Sequence, residues 1–428
     1  MSATHVWLRA AAAALVSVGL FLPSIFDEIG GLRLFVVAAG FVAFLLEVLL
    51  SAHAPRRKLV LAVGTAGYIG VVVVLTELIS RMLQDRMFAV NAQHLFVMLP
   101  LFAALGTTVY RSAAARIYLR VLMAVASVVA VLAVLESVLG LSLLGREYEF
   151  LTSQREGPTR ALVGSDNPLV LGVTLAALVP LTLKLRPVWS RALLTALLIA
   201  GVWASGSRAP AIIATGVAIV QFIPLVRSLV QRFILWVYIL AGAVILGLAY
   251  ASVFLWSTYI PGATGVDYSS NYRSALYALV PQVLWEHPLG YLLASPPPGR
   301  WIVGSELHGD FDIVRSLDSE IVFAVFGLGW VGLAFFIGAL LLSISTLRRD
   351  YSLGLSALVL TSLGFIIALH GWDSMSPLWY VLLGACATIS VEPRLRRFAG
   401  RRRRRRESVT AQPVGSGDGR RPRDGVSD

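Results

Sequence analysis

The chain has 428 residues, of which 57% are hydrophobic and 14% are charged, and its formal net charge is +12. Its apolar residues come in runs of about twenty, the length that an α-helix needs to cross the hydrocarbon core of a bilayer. This composition argues against a soluble enzyme and predicts an all-α, polytopic membrane protein. The single cysteine, Cys386, excludes an internal disulfide and a cysteine-based metal centre.

Hydropathy predicts about twelve transmembrane helices, which together form a membrane domain over residues 1–392. The predicted spans are residues 8–26, 31–52, 59–80, 94–110, 117–140, 168–185, 192–205, 209–226, 234–256, 320–343, 353–370 and 377–391. If the N-terminus is cytoplasmic, ten of the 36 Lys and Arg residues fall outside, which leaves 26 inside. The positive-inside rule therefore places both termini in the cytoplasm.

The C-terminal segment, residues 393–428, is predicted to be a disordered cytoplasmic tail. It contains six consecutive arginines at 401–406 and ends in a Gly, Ser, Pro and Asp-rich stretch that cannot bury a core. A juxtamembrane basic run of this kind typically binds anionic lipid, with a protein partner as the alternative. Nucleic acid is not an expected partner, because the rest of the chain is buried in lipid.

Two outer loops are long, at about 141–167 and 257–319, and long loops tend to carry function. In the second loop, apolar residues from Tyr272 to Leu284 repeat at helical spacing. This pattern predicts an amphipathic helix on the membrane surface, and Pro281 predicts that the helix is kinked or in two parts.

Arg208 follows an apolar run in the segment SGSRAP and precedes another. With Ser205 or Ser207 as a cap and Pro210 in the first turn, the pattern places Arg208 at a helix N-terminus. Free N–H groups and the helix dipole attract an anion there, whereas a second positive charge is unfavourable. The segment therefore predicts a phosphate site, unless Arg208 simply extends to the lipid headgroups.

A similar arrangement begins at Arg160. One of Ser165, Asp166 and Asn167 is expected to cap a helix that starts at Pro168, with Arg160 just ahead of it on the outer face. The plainer interpretation is that Asn167 only starts a helix and that Arg160 is a solvated loop charge.

Charged residues also mark both ends of the large loop. Arg273 begins the surface helix, and Asp318 and Glu320 lie at the start of the tenth span. Acidic residues at a helix start are ordinary dipole partners, but a carboxylate beside arginines also suits a general base. Elsewhere, Glu136 lies closest to mid-span, and Glu47 at a span end is expected to be interfacial.

In this order, the motifs resemble the O-antigen ligase and polymerase superfamily, which are bacterial membrane glycosyltransferases. The resemblance covers about residues 145 to 345. The motifs are Arg160…Gly164-x-x-Asn167-Pro168…Leu171-Gly172, then Ser207-Arg208-Ala209, then Arg273 followed by Glu286-His287-Pro288-Leu289-Gly290, and finally Gly327-Leu328-Gly329 with Gly332.

The resemblance implies a GT-C-like fold in the bacterial cytoplasmic membrane and an inverting glycosyltransferase that needs neither a metal nor a cofactor. The expected donor is a polyprenyl-pyrophosphate-linked glycan, and the expected acceptor is a hydroxyl on a glycan or lipid at the outer face. Arg160, Arg208 and Arg273, with Asn167, are implied as ligands of the donor pyrophosphate. Guanidinium forks match phosphate oxygens and stabilise a leaving pyrophosphate.

The sequence departs from classical ligases at one position. They carry a His, often followed by Asn, where this chain has Asp318-Ser319. The acidic residue looks more like Gram-positive members and like peptidoglycan polymerases. Asp318 is therefore the first candidate for the base, Glu320 the second and His308 the third, and the expected product is a cell-wall, capsular or secreted polysaccharide.

Several alternatives remain open at this point. Within the family, the acceptor alone separates a ligase from a polymerase. Twelve spans also suit a transporter or flippase of lipid-linked glycans, although 8–226 and 234–391 show no obvious repeat and few ionisable residues lie mid-span. A noncatalytic scaffold in cell-envelope assembly is the third possibility.

Overall fold

A computed structural model describes residues 3–390, with gaps at 23–30, 51–54, 113, 142–159, 166, 186, 224–227, 230–231, 234–267, 306–308, 313–316, 318 and 370–373. Within this range, 55–59, 268–275, 303–305 and 309–311 are described by their backbone alone. The predicted span 234–256, the tail at 393–428, Asp318 and His308 therefore lie outside the described residues.

The described part of the chain is almost entirely helical. Its α-helices are α1 (Ala3–Phe21), α2 (Leu32–Leu50), α3 (Pro55–Leu83), α4 (Arg86–Gln93), α5 (Leu99–Arg111), α6 (Ala115–Leu139), α7 (Pro168–Leu178), α8 (Val188–Ala204), α9 (Arg208–Phe222), α10 (Tyr268–Glu286), α11 (Glu320–Leu328), α12 (Trp330–Leu347), α13 (Tyr351–Leu363) and α14 (Ser376–Ser390). A π-helical segment, His94–Met98, joins α4 to α5, and a 3-10 segment, Val179–Lys184, extends α7. Strands β1 (Ile302–Ser305) and β2 (Gly309–Asp312) form an antiparallel hairpin that pairs Ile302 with Asp312.

Six of the described helical segments are long and apolar enough to cross a membrane, so the chain has the character of a membrane protein. They are Thr4–Phe21, Leu32–Leu50, Val60–Leu83, Arg86–Arg111, Ala115–Leu139 and Trp330–Leu347. Shorter apolar helices cover Pro168–Lys184, Val188–Ala204, Arg208–Phe222, Tyr351–Leu363 and Ser376–Ser390. Every predicted span other than 234–256 thus overlaps at least one described helix.

Helices α7 and α13 form the centre of the bundle. Every residue of α7 from Val170 to Leu178 is buried, as are most residues of α13. A helix that is apolar on all sides must be surrounded by other helices, and these two pack against each other. Helix α3, in contrast, leaves Val63, Val71 and Val74 exposed, as suits a helix whose outer surface contacts lipid.

Two contacts fix the register between α7 and α13. The Ser356 hydroxyl donates to the carbonyl of Ala177, and the Lys184 ammonium lies 2.6 Å from the Asp350 carboxylate. The two helices are therefore antiparallel, and residue 364 lies at about the height of residue 169. We call the end that holds Asn167 the Asn167 end, and the opposite end the Lys184 end.

The Lys184 end contains a well-organised carboxylate. Asp350 Oδ1 accepts from the Leu353 N–H at 3.1 Å and so caps α13, while Oδ2 faces Lys184. Burial acts to raise the pKa of Asp350, but the Lys184 charge and the hydrogen bonds outweigh it, and the net pKa lies below the ordinary value.

Glu47, which lies near the end of α2 and was expected to be interfacial, is buried among protein side chains. It is 1% exposed, and its two carboxylate oxygens accept from Arg9 Nε at 2.8 Å and from Arg9 Nη2 at 3.0 Å. Ser112 Oγ also donates to it, at 3.0 Å. A carboxylate buried among helices requires such a partner, and α1 supplies it.

One expectation about a single element was wrong. The predicted span 320–343 is broken at Gly329, whose φ of 57° ends α11 and allows α12 to start anew. Of the two forms predicted for α10, the two-part form is excluded, because the helix continues through Pro281. Its apolar face packs on α11, where Leu276 and Val283 join a cluster with Phe326.

Candidate functional site

The Arg160 side chain is held by the turn between α8 and α9. Its Nε donates to the carbonyl of Ser205 at 3.1 Å, and its Nη2 donates to Ser207 Oγ at 3.3 Å. Next to it, the Ala161 N–H donates to the carbonyl of Ala204 at 3.0 Å. The two predicted arginine motifs, 47 residues apart in the sequence, therefore meet in space.

Helices α7 and α9 begin side by side. The predicted helix start at Pro168 is confirmed, and of the three candidate caps it is Asn167 that caps the helix. Asn167 has extended backbone, and its Oδ1 accepts from the Leu169 N–H at 2.8 Å. Helix α9 begins at Arg208, as predicted to within one residue. Ser207 does not cap α9, because its hydroxyl donates to the carbonyl of Pro168 at 3.2 Å. That hydrogen bond joins the two helix N-termini.

Two glycines allow this close approach. Gly206 has a φ of 65°, and a Cβ there would lie 2.9 Å from both Cγ and Nε of Arg160. A Cβ on Gly172 would lie 2.6 Å from Ser205 Oγ. Because neither position has room for a side chain, the turn closes directly around the Arg160 guanidinium and against α7.

Arg208 is exposed beside this turn, and within the described part of the chain it makes no hydrogen bond or ion pair. Its charge adds to that of Arg160 and to the partial positive charges at the starts of α7 and α9. Positive charge collected at helix N-termini attracts an anion, and phosphate groups commonly bind at such positions. The geometry therefore suits the binding of a phosphorylated ligand.

Glu136 is a site residue whose role the sequence did not reveal. It is 2% exposed near the end of α6, and its Oε2 accepts from the Leu162 N–H at 2.8 Å and from the Val163 N–H at 2.9 Å. These bonds fix the chain just after Arg160. The available signal was a lone acidic residue at the end of an apolar helix, facing a long loop.

Glu320, the described residue of the predicted acidic pair Asp318 and Glu320, lies at the Asn167 end of the bundle. The Glu320 N–H donates to the carbonyls of Gly364, at 2.7 Å, and Ile367, at 3.0 Å. Since residue 364 is level with residue 169, α11 starts at about the height of α7. The Glu320 residue is 3% exposed, which limits its access to a substrate.

Helix α10 reaches this motif. Tyr277 Oη lies 3.2 Å from Ser319 Oγ, and position 273 is one helical turn before Tyr277. The side chain of Arg273, like Asp318 and His308, lies outside what the structure describes. The assignment of these three residues stays a prediction.

The segment Glu286 to Gly290, which carries one of the family-like motifs, packs on the junction of α11 and α12. The Tyr291 N–H donates to the carbonyl of Phe326 at 2.7 Å, and the Trp330 N–H donates to the carbonyl of Pro288 at 2.9 Å. A Cβ on Gly329 would collide with that same Pro288 carbonyl. The glycines of the two motifs therefore allow one backbone to lie directly against the other.

At the start of this segment, Glu286 is exposed and lies 3.2 Å from Arg300. A hydrogen bond from Gln282 and the contact with Arg300 lower the pKa of Glu286, so the carboxylate stays ionised at neutral pH. Arg300 is thus partly neutralised, unlike Arg208.

The chain just beyond this segment, at Leu293 and Ser295, is bonded to the corner between α3 and α4. The Ser295 N–H donates to Asp85 Oδ2 at 2.6 Å, and Asn91 Nδ2 donates to the carbonyl of Leu293 at 2.8 Å. Asp85 also caps α4 through the Met87 N–H, at 2.9 Å. The chain that follows α10 is therefore bonded both to the junction of α11 and α12 and to the corner between α3 and α4.

Within the described ranges, no group of three or more His, Cys, Asp or Glu side chains is arranged to hold a metal ion. Comparison with known proteins finds no matching family model, curated protein or solved structure. A function for the chain must therefore be argued from its own residues.

Proposed function

We propose that the chain is an inverting, metal-independent glycosyltransferase of the O-antigen ligase and polymerase type, with about twelve transmembrane helices in a GT-C-like arrangement. It transfers a glycan from a polyprenyl-pyrophosphate donor to an acceptor hydroxyl. The observation that carries the proposal is the meeting of Arg160 and Arg208 at the joined N-termini of α7 and α9.

The orientation follows from the basic residues. The positive-inside rule assigns the Lys184 end to the cytoplasm and the Asn167 end to the outer face of a bacterial cytoplasmic membrane. The donor pyrophosphate then lies at the outer headgroup level, where Arg160 and Arg208 bind it, with Asn167 at the adjacent helix start and Arg273 approaching from α10. The basic tail, residues 393–428, binds anionic lipid on the opposite face.

In the proposed reaction the acceptor oxygen attacks the anomeric carbon of the donor sugar. A new glycosidic C–O bond forms as the bond to the pyrophosphate oxygen breaks, with inversion. The carboxylate of Asp318 takes the hydroxyl proton, with Glu320 and His308 as the second and third candidates for that role. The lipid pyrophosphate leaves with its bonding electrons, and the arginines stabilise the charge that develops on it.

The test is turnover of the lipid-linked donor by Arg208→Lys, Arg208→Ala and Arg160→Lys variants. Lysine keeps the charge but loses the bidentate fork, so we expect lower turnover even in the lysine variants. Loss of a transition-state anion donor typically costs about 10²- to 10³-fold in rate. Arg81, an exposed arginine at the end of α3, provides the matched Arg81→Lys control, which should keep wild-type turnover.

The readout is mass spectrometry of the polyprenyl-pyrophosphate glycan pool in cells that express each variant at equal protein level. Accumulated single repeat units on the outer face indicate a polymerase, and accumulated finished chains there indicate a ligase. Accumulation only on the cytoplasmic face would identify a flippase instead. Wild-type pools in all three site variants would show that the arginines do not bind the donor.

A further inference from the structure

A cavity lies at the Lys184 end of the molecule, opposite the Arg160 turn. It has a volume of about 560 Å³ and lies between α1, α5, α6, the 3-10 segment, α13 and α14. Its apolar lining includes Leu20, Leu105, Leu122 and Leu378. The volume lies within the range of about 300–1,000 Å³ that is typical of small-molecule sites.

The cavity is bordered by positive charge. Arg116, Arg120 and Lys184 all line it, and both arginines are exposed, so they stand where the cavity meets its surroundings. Lys184 is paired with Asp350. Among the residues that the structure describes, the side chains of Arg116 and Arg120 have no hydrogen bond or ion pair.

The two arginines are placed unfavourably in the absence of an anion. They are four residues apart on α6, so they face each other across one turn, and like charges at this spacing destabilise a helix. They also lie in the first two turns of α6, which begins at Ala115, where the helix dipole is positive. An anion beside Arg116 and Arg120 relieves both effects.

We propose that this cavity binds one anionic phospholipid of the cytoplasmic leaflet, with its acyl chains against the leucine wall and its phosphate on Arg116 and Arg120. A phospholipid supplies both an apolar body and an anionic group, and the cavity offers a matching apolar wall and an adjacent pair of guanidinium forks. The cytoplasmic leaflet, to which the orientation above assigns this end, is rich in anionic lipid. The site is separate from the Arg160 site and does not depend on glycosyl transfer.

The experiment is native mass spectrometry of the full-length protein in detergent, titrated with phosphatidylglycerol or phosphatidylcholine. We expect tighter binding of phosphatidylglycerol. The Arg116→Gln/Arg120→Gln variant should lose about five-fold in affinity per arginine, or about 25-fold in all. Arg111→Gln/Arg348→Gln is the matched control, because it removes two exposed charges from the same end outside the cavity and should bind as wild type does.

A second variant tests the apolar part. Val16 lines the cavity, so Val16→Trp should fill it and weaken binding of both lipids while leaving the arginines in place. Equal loss in the control variant, equal affinity for the two lipids, or unchanged binding by Val16→Trp would each overturn the proposal. Displacement of the lipid by millimolar inorganic phosphate would show a simple anion site instead of a lipid site.

Discussion

Gly206 sets how closely the Ser205–Arg208 turn approaches Arg160. We expect Gly206→Ala to lower the midpoint of thermal unfolding, because alanine in left-handed backbone costs about 1–2 kcal/mol and its methyl group meets the Arg160 side chain. Gly216→Ala is the control, because a Cβ there meets nothing within 4 Å in the middle of α9. Gly216→Ala should leave the midpoint of thermal unfolding unchanged or raise it slightly. Equal midpoints for the two variants would contradict this account of the turn.

The ion pair between Asp350 and Lys184 makes the free energy of unfolding depend on pH. The pKa of Asp350 is lowered in the folded state, so the ion pair contributes fully above the unfolded-state pKa of about 3.9. The contribution is lost as the pH falls through the lower, folded-state pKa. Asparagine still caps a helix, so Asp350→Asn removes mainly the charge, at a cost of about 1 kcal/mol.

The measurement is thermal unfolding of wild type and Asp350→Asn between pH 3 and pH 8. The unfolding midpoint of wild type should exceed that of Asp350→Asn by a constant amount near neutral pH, and this difference should shrink below about pH 4. Glu77→Gln, at an exposed position on α3, should show no such trend. If the midpoint difference instead grew as the pH fell, the ion pair with Lys184 could not be its source.

Local chemistry made some residues predictable and others not. The helix starts at Pro168 and Arg208 depend on neighbouring residues only, and both could be derived from the sequence. The choice of Asn167 over Ser165 and Asp166 as the cap could not. The partners of Glu47 and Glu136 lie 38 and 26 residues away or more, and no local pattern identifies them. Their burial could therefore be recognised only once the helices were packed.

At the scale of elements, the break between α11 and α12 depends on one glycine. Gly329 has positive φ and no room for a side chain against Pro288. We expect Gly329→Ala to reduce folded protein strongly, because the turn must move away from the segment that follows α10. Gly338→Ala, on α12 with open space around it, should be tolerated. The yield of monodisperse protein by size-exclusion chromatography distinguishes the two outcomes.

Hydropathy could not reveal this break, because it sums apolarity along a run and is insensitive to φ. The residues on both sides of Gly329 are apolar, so 320–343 looked like one helix. At Pro281 the sequence left open a kinked helix or two helices. Packing of Leu276 and Val283 on α11 explains why α10 stays one helix on both sides of the proline.

For the whole molecule, the orientation is the prediction with the widest consequences. In a Cys386→Ser background, which has no other cysteine, Pro298→Cys should react with an impermeant thiol reagent in intact cells. Arg348→Cys should react only after the membrane is permeabilised. Both positions are exposed, so a difference in labelling reports sidedness rather than burial. Labelling of Arg348→Cys alone in intact cells would invert the proposed topology.

The bond between Asp85 and Ser295 joins residues 210 positions apart. At a synthesis rate of about 5–20 residues per second, the ribosome adds Ser295 roughly 10 to 40 s after Asp85. During that interval α7, α8 and α9 are synthesised, while the segment that follows α10 does not yet exist. The Ser205–Arg208 turn is thus complete before that segment has been made, and the segment can dock on Asp85 only late in biogenesis.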